Sequence, residues 1–318
     1  MPSEVKVEIS VIVPARSEEA VLRHSLEVIA GVMRGVTEHF ELIVVDDGSD
    51  DGTFAIVREA HAADSRIKGV RLSRGFGKEA ALMAGMRVAR GLAVITLDAD
   101  LQHPPQLIPK MVEQWRDGAM IVHGVKEERL FGGTFHRFAA QFFNRMFSKI
   151  AGFDMVGSSD FKLLDAKIAR LLVERFPEHS RFHRGLSTWM GYRQVSLPFK
   201  VAQRKAGVSQ WRLTDLLRYA WNTLTAYSSL PLKLIPVMGL FMLAISVVLG
   251  LEAIMSRLAG NAVSGFATLE MTILFTGSMI MIGLGIIGQY LSRMYDELKR
   301  RPLFLVDETV GIETSGEE

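Results

Sequence analysis

Short apolar runs alternate with segments of helical spacing along the N-terminal part of the chain. Runs rich in β-branched residues predict buried strands, at Val7–Val13, Phe40–Val45, Val70–Leu72, Ala93–Leu97 and Ala119–Gly124. The segments between them repeat apolar residues at helical spacing and predict helices, at Ala20–Met33, Thr53–Ala62 and Lys78–Ala89. Because strands and helices alternate, the pattern predicts an α/β fold with a parallel sheet and a ligand at the carboxyl ends of its strands.

The pattern changes in the C-terminal part, where two long stretches lack any charged residue. Leu234–Leu251 and Met271–Ser292 are each long enough to cross a hydrocarbon layer of about 30 Å, and neither has the polar face of a core helix. They predict two transmembrane helices within residues 232–292. The second stretch carries small residues that favour helix pairing or a homo-oligomer, at Gly283, Gly285 and Gly288.

Basic residues lie on the outer sides of these two stretches, at Arg218, Lys233, Arg293, Lys299, Arg300 and Arg301. The connecting segment, Glu252–Glu270, carries Arg257 as its one cation. The positive-inside rule therefore predicts that the N-terminal domain and both termini are cytoplasmic, at the cell (inner) membrane. We expect residues 293–318 to form a cytoplasmic tail that is disordered from Thr309 onward, where it is small and acidic.

Residues 134–150 combine an apolar stripe with interleaved cations. Apolar side chains recur near helical spacing at Phe135, Phe138, Phe142, Met146 and Ile150, with Arg137, Arg145 and Lys149 between them. This combination predicts a helix in the membrane interface, and the alternative is a core helix against the sheet. We therefore expect a cytoplasmic domain over residues 1–212 and a juxtamembrane helix over residues 213–231, which is rich in aromatic residues.

Composition narrows the functional classes. The chain has 318 residues and a net charge of +2, so no strong field indicates a nucleic-acid partner. It contains no cysteine, which excludes disulfides and thiolate metal ligands. A hydrophobic content of 48% and a mean hydropathy of +0.19 are high for a soluble enzyme.

Two carboxylates appear where the fourth predicted strand ends. Asp98 and Asp100 are two positions apart, and such side chains share one face of an extended chain. Gln102 adds a neutral oxygen, and this set of hard oxygen ligands suits Mg²⁺ or Mn²⁺ with positions left for phosphate oxygens. The alternative is an acidic turn without a metal.

A second acidic turn, Asp46–Asp47–Gly48, follows the second predicted strand. Acids followed by glycine can approach a ribose or a base N–H closely, and a solvated turn is the alternative. Two other nucleotide motifs are excluded. No G-x-G-x-x-G follows the first strand, and the segment Gly75–Glu79 lacks the first glycine and the Ser or Thr of a P-loop.

The motifs of the chain form an ordered set that covers nearly its whole length. They are Pro14…Glu18, Val45–Ser49, Leu72–Arg74 with Gly77–Ala80, Leu97–Pro105, Asp160–Asp165, Arg181–Leu186, Gly285–Leu291 and Lys299–Leu303. This set resembles the family 2 glycosyltransferases of GT-A fold. The similarity is to the polyprenyl-phosphate branch, which includes bactoprenol glucosyltransferases and dolichol-phosphate mannose synthases. It implies an α/β, GT-A (Rossmann-like), mixed and mostly parallel sheet with flanking helices.

The resemblance implies the inverting transfer of a sugar, glucose from UDP-glucose, to a polyprenyl (undecaprenyl) phosphate. It assigns nucleotide-sugar binding to Pro14, Arg16, Glu18, Asp46, Asp47, Lys78 and Asp98, and the metal, Mg²⁺ or Mn²⁺, to Asp98, Asp100 and Gln102. It assigns the reacting centre to Asp100 and Asp160, and the acceptor phosphate to Lys126, Arg129, Arg137 and Arg204. The implied partners are the nucleotide sugar, the polyprenyl phosphate, the membrane and a flippase for the lipid-linked product.

Three positions depart from the family pattern. Arg16–Ser17 replaces an aromatic–Asn pair, Gly75 stands where Asn is common, and Gln210 stands where a Lys usually follows Gly-x-Ser. A guanidinium plane can also stack on a base, so Arg16 can take the place of the aromatic ring. These departures leave UDP-N-acetylhexosamine, UDP-aminoarabinose and GDP-mannose as alternative donors. A nucleotide-binding membrane scaffold is the alternative of another class.

Overall fold

The computed structural model describes residues 7–126, 160–176, 190–199, 230–259, 265–299 and 301–312. The predicted interfacial helix 134–150 and most of the predicted juxtamembrane helix lie outside these residues. The chain forms two compact units. We call them the sheet unit, which contains every described strand, and the helical unit, which contains two long helices.

The sheet unit alternates strands and helices in its N-terminal part. Its described strands are β1 (Ile9–Ala15), β2 (Phe40–Asp46), β3 (Ile67–Leu72), β4 (Ala93–Thr96), β5 (Ile121–Lys126), β6 (Lys162–Asp165), β7 (Gln194–Phe199) and β8 (Val306–Val310). Its described α-helices are α1 (Glu19–Arg34), α2 (Thr53–Ala63), α3 (Lys78–Val88), α4 (Ile108–Arg116) and α5 (Ala166–Arg175). The five strands and three helices predicted from the sequence are therefore all present, with ends that shift by a few residues.

The strands form one sheet in the order β7-β5-β6-β4-β1-β2-β3-β8. Parallel pairing joins β4 to β1, β1 to β2, β2 to β3, and β5 to β7. Strand β6 runs antiparallel to β4 and β5, and β8 runs antiparallel to β3. The predicted mixed, mostly parallel sheet with flanking helices is thus confirmed.

Both faces of the sheet are covered by helices, which explains the continuous apolar runs of its central strands. Side chains alternate between the faces of a strand. Val11 and Val13 of β1 pack into the apolar cluster formed with α1, α2 and α4. Ile12 packs on the opposite face with α3 and α5. The order of the central strands reverses between β1 and β4, and a crevice outside the carboxyl ends is expected at such a point.

The C-terminal strand β8 completes the sheet beside β3. Thr309 and Val310 pair with Val70 and Gly69, and the backbone N–H of Ser73 donates to the carbonyl of Leu305 at 2.9 Å. The expectation of disorder from Thr309 onward is therefore wrong for residues 309–312. The physical reason is that the backbone groups of an edge strand offer a template for pairing, whatever the polarity of the added segment.

The helical unit contains α6 (Leu230–Leu258) and α7 (Phe266–Leu298). Within them, Pro231–Ser256 and Met271–Leu298 are long and apolar enough to cross a membrane, with mean hydropathies of 2.5 and 1.9. Almost none of their side chains is buried, so these are not core helices of a soluble domain. A Cβ at Gly283 would lie 3.5 Å from Ile235 Cγ2, an ordinary contact distance, and a Cβ at Gly285 or Gly288 would meet nothing within 4 Å. The packing of α7 on α6 therefore does not require these glycines, and their role in helix pairing stays a prediction.

Candidate functional site

A cleft of about 350 Å³ opens outside the carboxyl ends of β1, β2 and β4, next to the start of α3. This is the crevice expected from the strand order. The residues of the predicted site that line it are Pro14, Arg16, Glu18, Asp47, Lys78, Asp98 and Asp100. The carboxyl ends of parallel strands therefore bring together residues from four separate motifs.

The acidic turn after β4 presents both carboxylates on one side. Asp98 is partly exposed and Asp100 exposed, while Ala99 between them is buried. The hydroxyl of Ser25, on the buried face of α1, lies 2.5 Å from the carbonyl of Ala99 and holds the turn from below. Leu101 then adopts a left-handed conformation with φ of 54°, which is uncommon for a residue other than glycine. Both residues line the same cleft, although residues 99 and 100 form a turn and not the extended chain from which the shared face was predicted.

Lys78 joins the acidic turn to Asp160. Its ammonium lies 2.5 Å from Asp98 Oδ1 and donates to Asp160 Oδ2 at 2.8 Å. Burial opposes the charged ammonium, but the attraction of Asp160 and Asp98 outweighs it and raises the pKa of Lys78. The cation therefore stays protonated and links the cleft to the largely buried carboxylate of Asp160.

Asp160 is held next to β4 by its backbone as well as by its side chain. The hydroxyl of Thr96 donates to the carbonyl of Asp160, and only 9% of the Asp160 side chain is exposed. Asp160 does not line the cleft itself; it reaches the cleft through Lys78. Both residues were predicted for the site from the sequence, but the ion pair between them was not.

Negative charge accumulates on one side of the cleft. Burial raises the pKa of Glu18, and the carboxylates of Asp100, Asp51 and Asp98 raise it further. Like charges gathered in one cleft favour a cation there. His103 supports Asp98 from behind, with Nδ1 3.6 Å from Asp98 Oδ2 and its ring against those of Phe161 and Phe199.

The fit of a divalent metal to this cleft depends on the acidic pair. In the described part of the chain, no group of three or more His, Cys, Asp or Glu side chains is arranged to hold a metal ion. Two carboxylates, Asp98 and Asp100, do face the cleft, and Mg²⁺ commonly binds through one or two carboxylates plus substrate phosphates. Gln102 is not among the residues that line the cleft, and its backbone N–H donates to Asp100 Oδ1 at 3.1 Å. The carboxylates of Asp98 and Asp100 therefore fit a divalent metal whose remaining coordination positions are filled by the phosphate oxygens of a ligand.

The carboxylates of the acidic turn after β2 mainly accept hydrogen bonds from backbone N–H groups. The Asp46 side chain is fully buried, and its Oδ1 accepts from the backbone N–H of Ser49 at 3.0 Å. Asp47 accepts from the backbone N–H groups of Phe76 at 2.6 Å and Gly77 at 3.0 Å. Asp46 does not line the cleft. The carboxylate of Asp47 lines it but also fixes the loop before α3.

Arg16 follows β1 and lies at the cleft against the loop before α3. Its side chain is 61% exposed, and Nη1 lies 3.5 Å from Asp47 Oδ2. A cationic, planar group at the mouth of the cleft can stack on a base or meet a phosphate. The arrangement therefore offers contacts for a nucleotide on one side and carboxylates on the other.

The predicted acceptor-phosphate residues are only partly placed. Lys126 ends β5, and the structure describes its backbone. Arg129, Arg137 and Arg204 lie outside the described residues. Their assignment stays a prediction.

Sequence reasoning did not find Ser25, Thr96 or His103, which support the site from below. A polar residue on the buried face of an otherwise apolar helix, such as Ser25 in α1, is the signal that could have indicated a supporting role.

Comparisons with known proteins agree with the sequence motifs. Residues 10–166 match the family described as Glycosyl transferase family 2. A Synechocystis sp. protein named as an uncharacterized glycosyltransferase is 36% identical over 309 residues, which cover 96% of this chain and 97% of the relative. An SfII prophage-derived bactoprenol glucosyl transferase of Shigella flexneri is 32% identical over 302 residues, covering 94% of this chain and 97% of the relative.

Similarity also extends to solved structures. Mannosyl-3-phosphoglycerate synthase from Rubrobacter xylanophilus aligns with a TM-score of 0.46 and 20% identity, over 70% of this chain and 73% of that one. The identity and coverage of the sequence relatives, together with the family match over the central strands and the acidic turns, decide the assignment. The chain is a glycosyltransferase and belongs to glycosyl transferase family 2.

Proposed function

We propose that the protein transfers a sugar, glucose from UDP-glucose, to a polyprenyl phosphate at the cytoplasmic face of the cell membrane, with inversion at the anomeric carbon. The observation that carries the proposal is one cleft in which Asp98 and Asp100 face Arg16 and Lys78, at the reversal point of the sheet. The acceptor follows from the two exposed apolar helices and from relatives named for bactoprenol.

The nucleotide part of the donor belongs at the ends of β1 and β2. Arg16 offers its guanidinium plane to the base, and the backbone at Pro14 and the carboxylate of Asp47 lie in the same cleft. The donor diphosphate belongs near Asp98 and Asp100, where Mg²⁺ or Mn²⁺ would be held. A metal bound there would neutralise the charge that develops on the departing diphosphate.

Lys78 and Asp160 have complementary tasks. The ammonium of Lys78 holds Asp98 and Asp160 at fixed positions and can attract a phosphate oxygen of the donor. Asp160, which meets the cleft through Lys78, orients the acceptor phosphate through that ammonium or accepts its proton. A phosphate monoester has a second pKa near 6 and is mostly dianionic at neutral pH, so the acceptor needs orientation more than a strong base.

The acceptor phosphate requires cations and the polyprenyl chain requires an apolar environment. We assign the phosphate to Lys126, at the end of β5, together with Arg129, Arg137 and Arg204. The apolar surfaces of α6 and α7 are exposed along their length, and such continuous exposure indicates a membrane or lipid environment. In-line attack by the phosphate on an α-linked donor yields a β-linked lipid phosphosugar.

The test is transfer of radiolabel from UDP-glucose to undecaprenyl phosphate by membranes that contain the full chain. We expect label in the chloroform phase that depends on divalent metal and that forms about 100-fold more slowly with Asp100→Asn. The matched control is Asp117→Asn, because Asp117 is an exposed acid at the end of α4 that does not line the cleft.

The donor is identified by repeating this assay with UDP-N-acetylhexosamine, UDP-aminoarabinose and GDP-mannose. A higher transfer rate with one of these replaces glucose in the proposal and leaves the lipid acceptor in place. If no donor labels the lipid while the protein still binds a nucleotide, the chain is a membrane scaffold and the proposed reaction is wrong.

A further inference from the structure

The loop Ser73–Gly77, between β3 and α3, borders the cleft at Gly77. Its backbone is fixed from two directions, because Asp47 accepts from the N–H groups of Phe76 and Gly77 and Leu305 accepts from the N–H of Ser73. A loop whose backbone groups are bonded in this way offers a rigid surface to the side chains that lie on it.

Arg16 lies directly on this surface at Gly75. A Cβ built at Gly75 would lie 2.6 Å from Arg16 Cζ and 2.7 Å from Arg16 Nη2, well inside contact distance. The backbone of Gly75 is not in the left-handed region, so a larger residue is conformationally allowed there. Space for the guanidinium, and not backbone freedom, is what the glycine supplies.

We propose that Gly75 is a positioning residue for Arg16, because its missing side chain lets the guanidinium rest on the loop while Asp47 holds it at 3.5 Å. In that position the Arg16 side chain is 61% exposed and lines the cleft. The arginine at position 16 can take this position because position 75 has no side chain. This inference rests on the proposed role of Arg16 as a contact to the donor nucleotide.

The neighbouring Gly48 shows what a purely structural glycine looks like. Its φ is +65°, and a Cβ there would lie 2.7 Å from Arg74 Cα and 2.7 Å from the backbone nitrogen of Gly75. Backbone atoms cannot move aside as the end of an arginine side chain can. Alanine at Gly48 therefore strains the fold, whereas alanine at Gly75 displaces Arg16 and leaves the loop in place.

The experiment is a double-mutant cycle on nucleotide affinity, with the full chain in detergent and UDP as the titrated ligand. We expect Gly75→Ala to weaken UDP binding about fivefold, roughly the loss caused by Arg16→Ala, since an exposed cation–π contact is of that order. In the Arg16→Ala background, Gly75→Ala should change the affinity less than about 1.5-fold, because the residue it displaces is already gone. Gly31→Ala is the matched control, because Gly31 is exposed on α1 with open space around it.

A loss of equal size in both backgrounds overturns the inference, because Gly75 would then act on the loop and not on Arg16. No loss with Gly75→Ala in the wild-type background overturns it as well. A second readout is steady-state transfer, in which the displaced arginine should raise the KM for the donor and leave kcat nearly unchanged. If the wild-type chain binds neither UDP nor GDP, the proposed function fails and this inference fails with it; additive losses in a protein that binds UDP contradict the inference alone.

Discussion

The two acidic turns of the sheet unit are alike in sequence but differ in what their carboxylates contact. After β2, Asp46 and Asp47 accept hydrogen bonds from backbone N–H groups and are almost completely buried. After β4, the carboxylate of Asp98 contacts the side chain of Lys78, and Asp100 is exposed at the cleft. Exposure separates the two turns better than backbone bonding does, because Asp100 also accepts from the backbone N–H of Gln102 and Asp47 also lines the cleft. Burial confines Asp46 to the fold, whereas the exposed Asp100 is open to a ligand.

The largest expected effect is at the exposed turn. Asp100→Asn should lower the kcat of sugar transfer by about 100-fold or more, since loss of one preorganised electrostatic contact to the transition state has that size. The thermal midpoint of the full chain should stay within about 2 °C of the wild type, because the side chain is exposed. A variant that loses stability as well as activity would place Asp100 with the buried acids and contradict the distinction between the turns.

The second largest effect is the pH dependence of stability caused by His123, a buried residue that does not line the cleft. Burial and the neighbouring charge of Lys162 lower the pKa of His123 to about 4, although Gln194 offers a hydrogen bond. The His123 imidazole takes up a proton below pH 6.5 in the unfolded chain but only near pH 4 in the folded chain. The contribution of neutral His123 to the free energy of unfolding is therefore fully present above pH 6.5 and is lost as the pH falls from 6.5 to 4. The loss is about 3 kcal/mol at most. Denaturation midpoints from pH 7 to 4 measure it, and the drop should shrink in His123→Gln; an equal drop in that variant refutes this origin.

A moderate effect is expected at the buried turn. Asp47→Ala removes the acceptor for the N–H groups of Phe76 and Gly77 and should lower the free energy of unfolding by about 1–3 kcal/mol. Urea unfolding of the full chain in detergent measures the change, with Asp117→Asn as the matched exposed control. Asp47→Ala should also weaken UDP binding through the loosened loop. Undiminished stability would show that the two turns do not differ in the way described.

The smallest effect is expected at Asp160, which meets the cleft through Lys78. Asp160→Asn should slow single-turnover transfer by roughly tenfold, less than general-base loss usually costs, because the acceptor phosphate is already ionised. The matched comparison is Asp100→Asn in the same assay. A slower rate for Asp160→Asn than for Asp100→Asn would reverse the ranking and make Asp160 the principal catalytic group.

Apolar runs in the sequence predicted the strands and helices whose formation depends on neighbouring residues in the chain. The runs at Phe40–Val45 and Ala93–Leu97 became β2 and β4 because buried strands need continuous apolar residues. The predicted uncharged stretches lie within the apolar segments of α6 and α7. Strands β6, β7 and β8 were not predicted; β6 has a charged residue at each end, and β8 is largely polar. Such strands depend on partners far away in the chain.

In the candidate site, too, features that depend on local spacing were predicted, and contacts between distant residues were not. The spacing of Asp98 and Asp100 predicted a shared face, and the structure has both at the cleft. Spacing could not predict that Asp47 accepts hydrogen bonds from the loop before α3. It also could not predict the ion pair of Lys78 with Asp160, or the close approach of Arg16 to Gly75. Each of these contacts joins residues about 30 to 80 positions apart, and the sequence contains no local record of them.

By itself, the sequence determined the alternation of strands and helices, the two apolar helices and the family, because each depends on residue type and short-range spacing. The tertiary structure alone decided which acids are buried and which are exposed at the cleft. The physical reason is that a carboxylate has the same chemistry at every position, and only the groups folded around it determine whether it is satisfied within the protein or left available to a ligand.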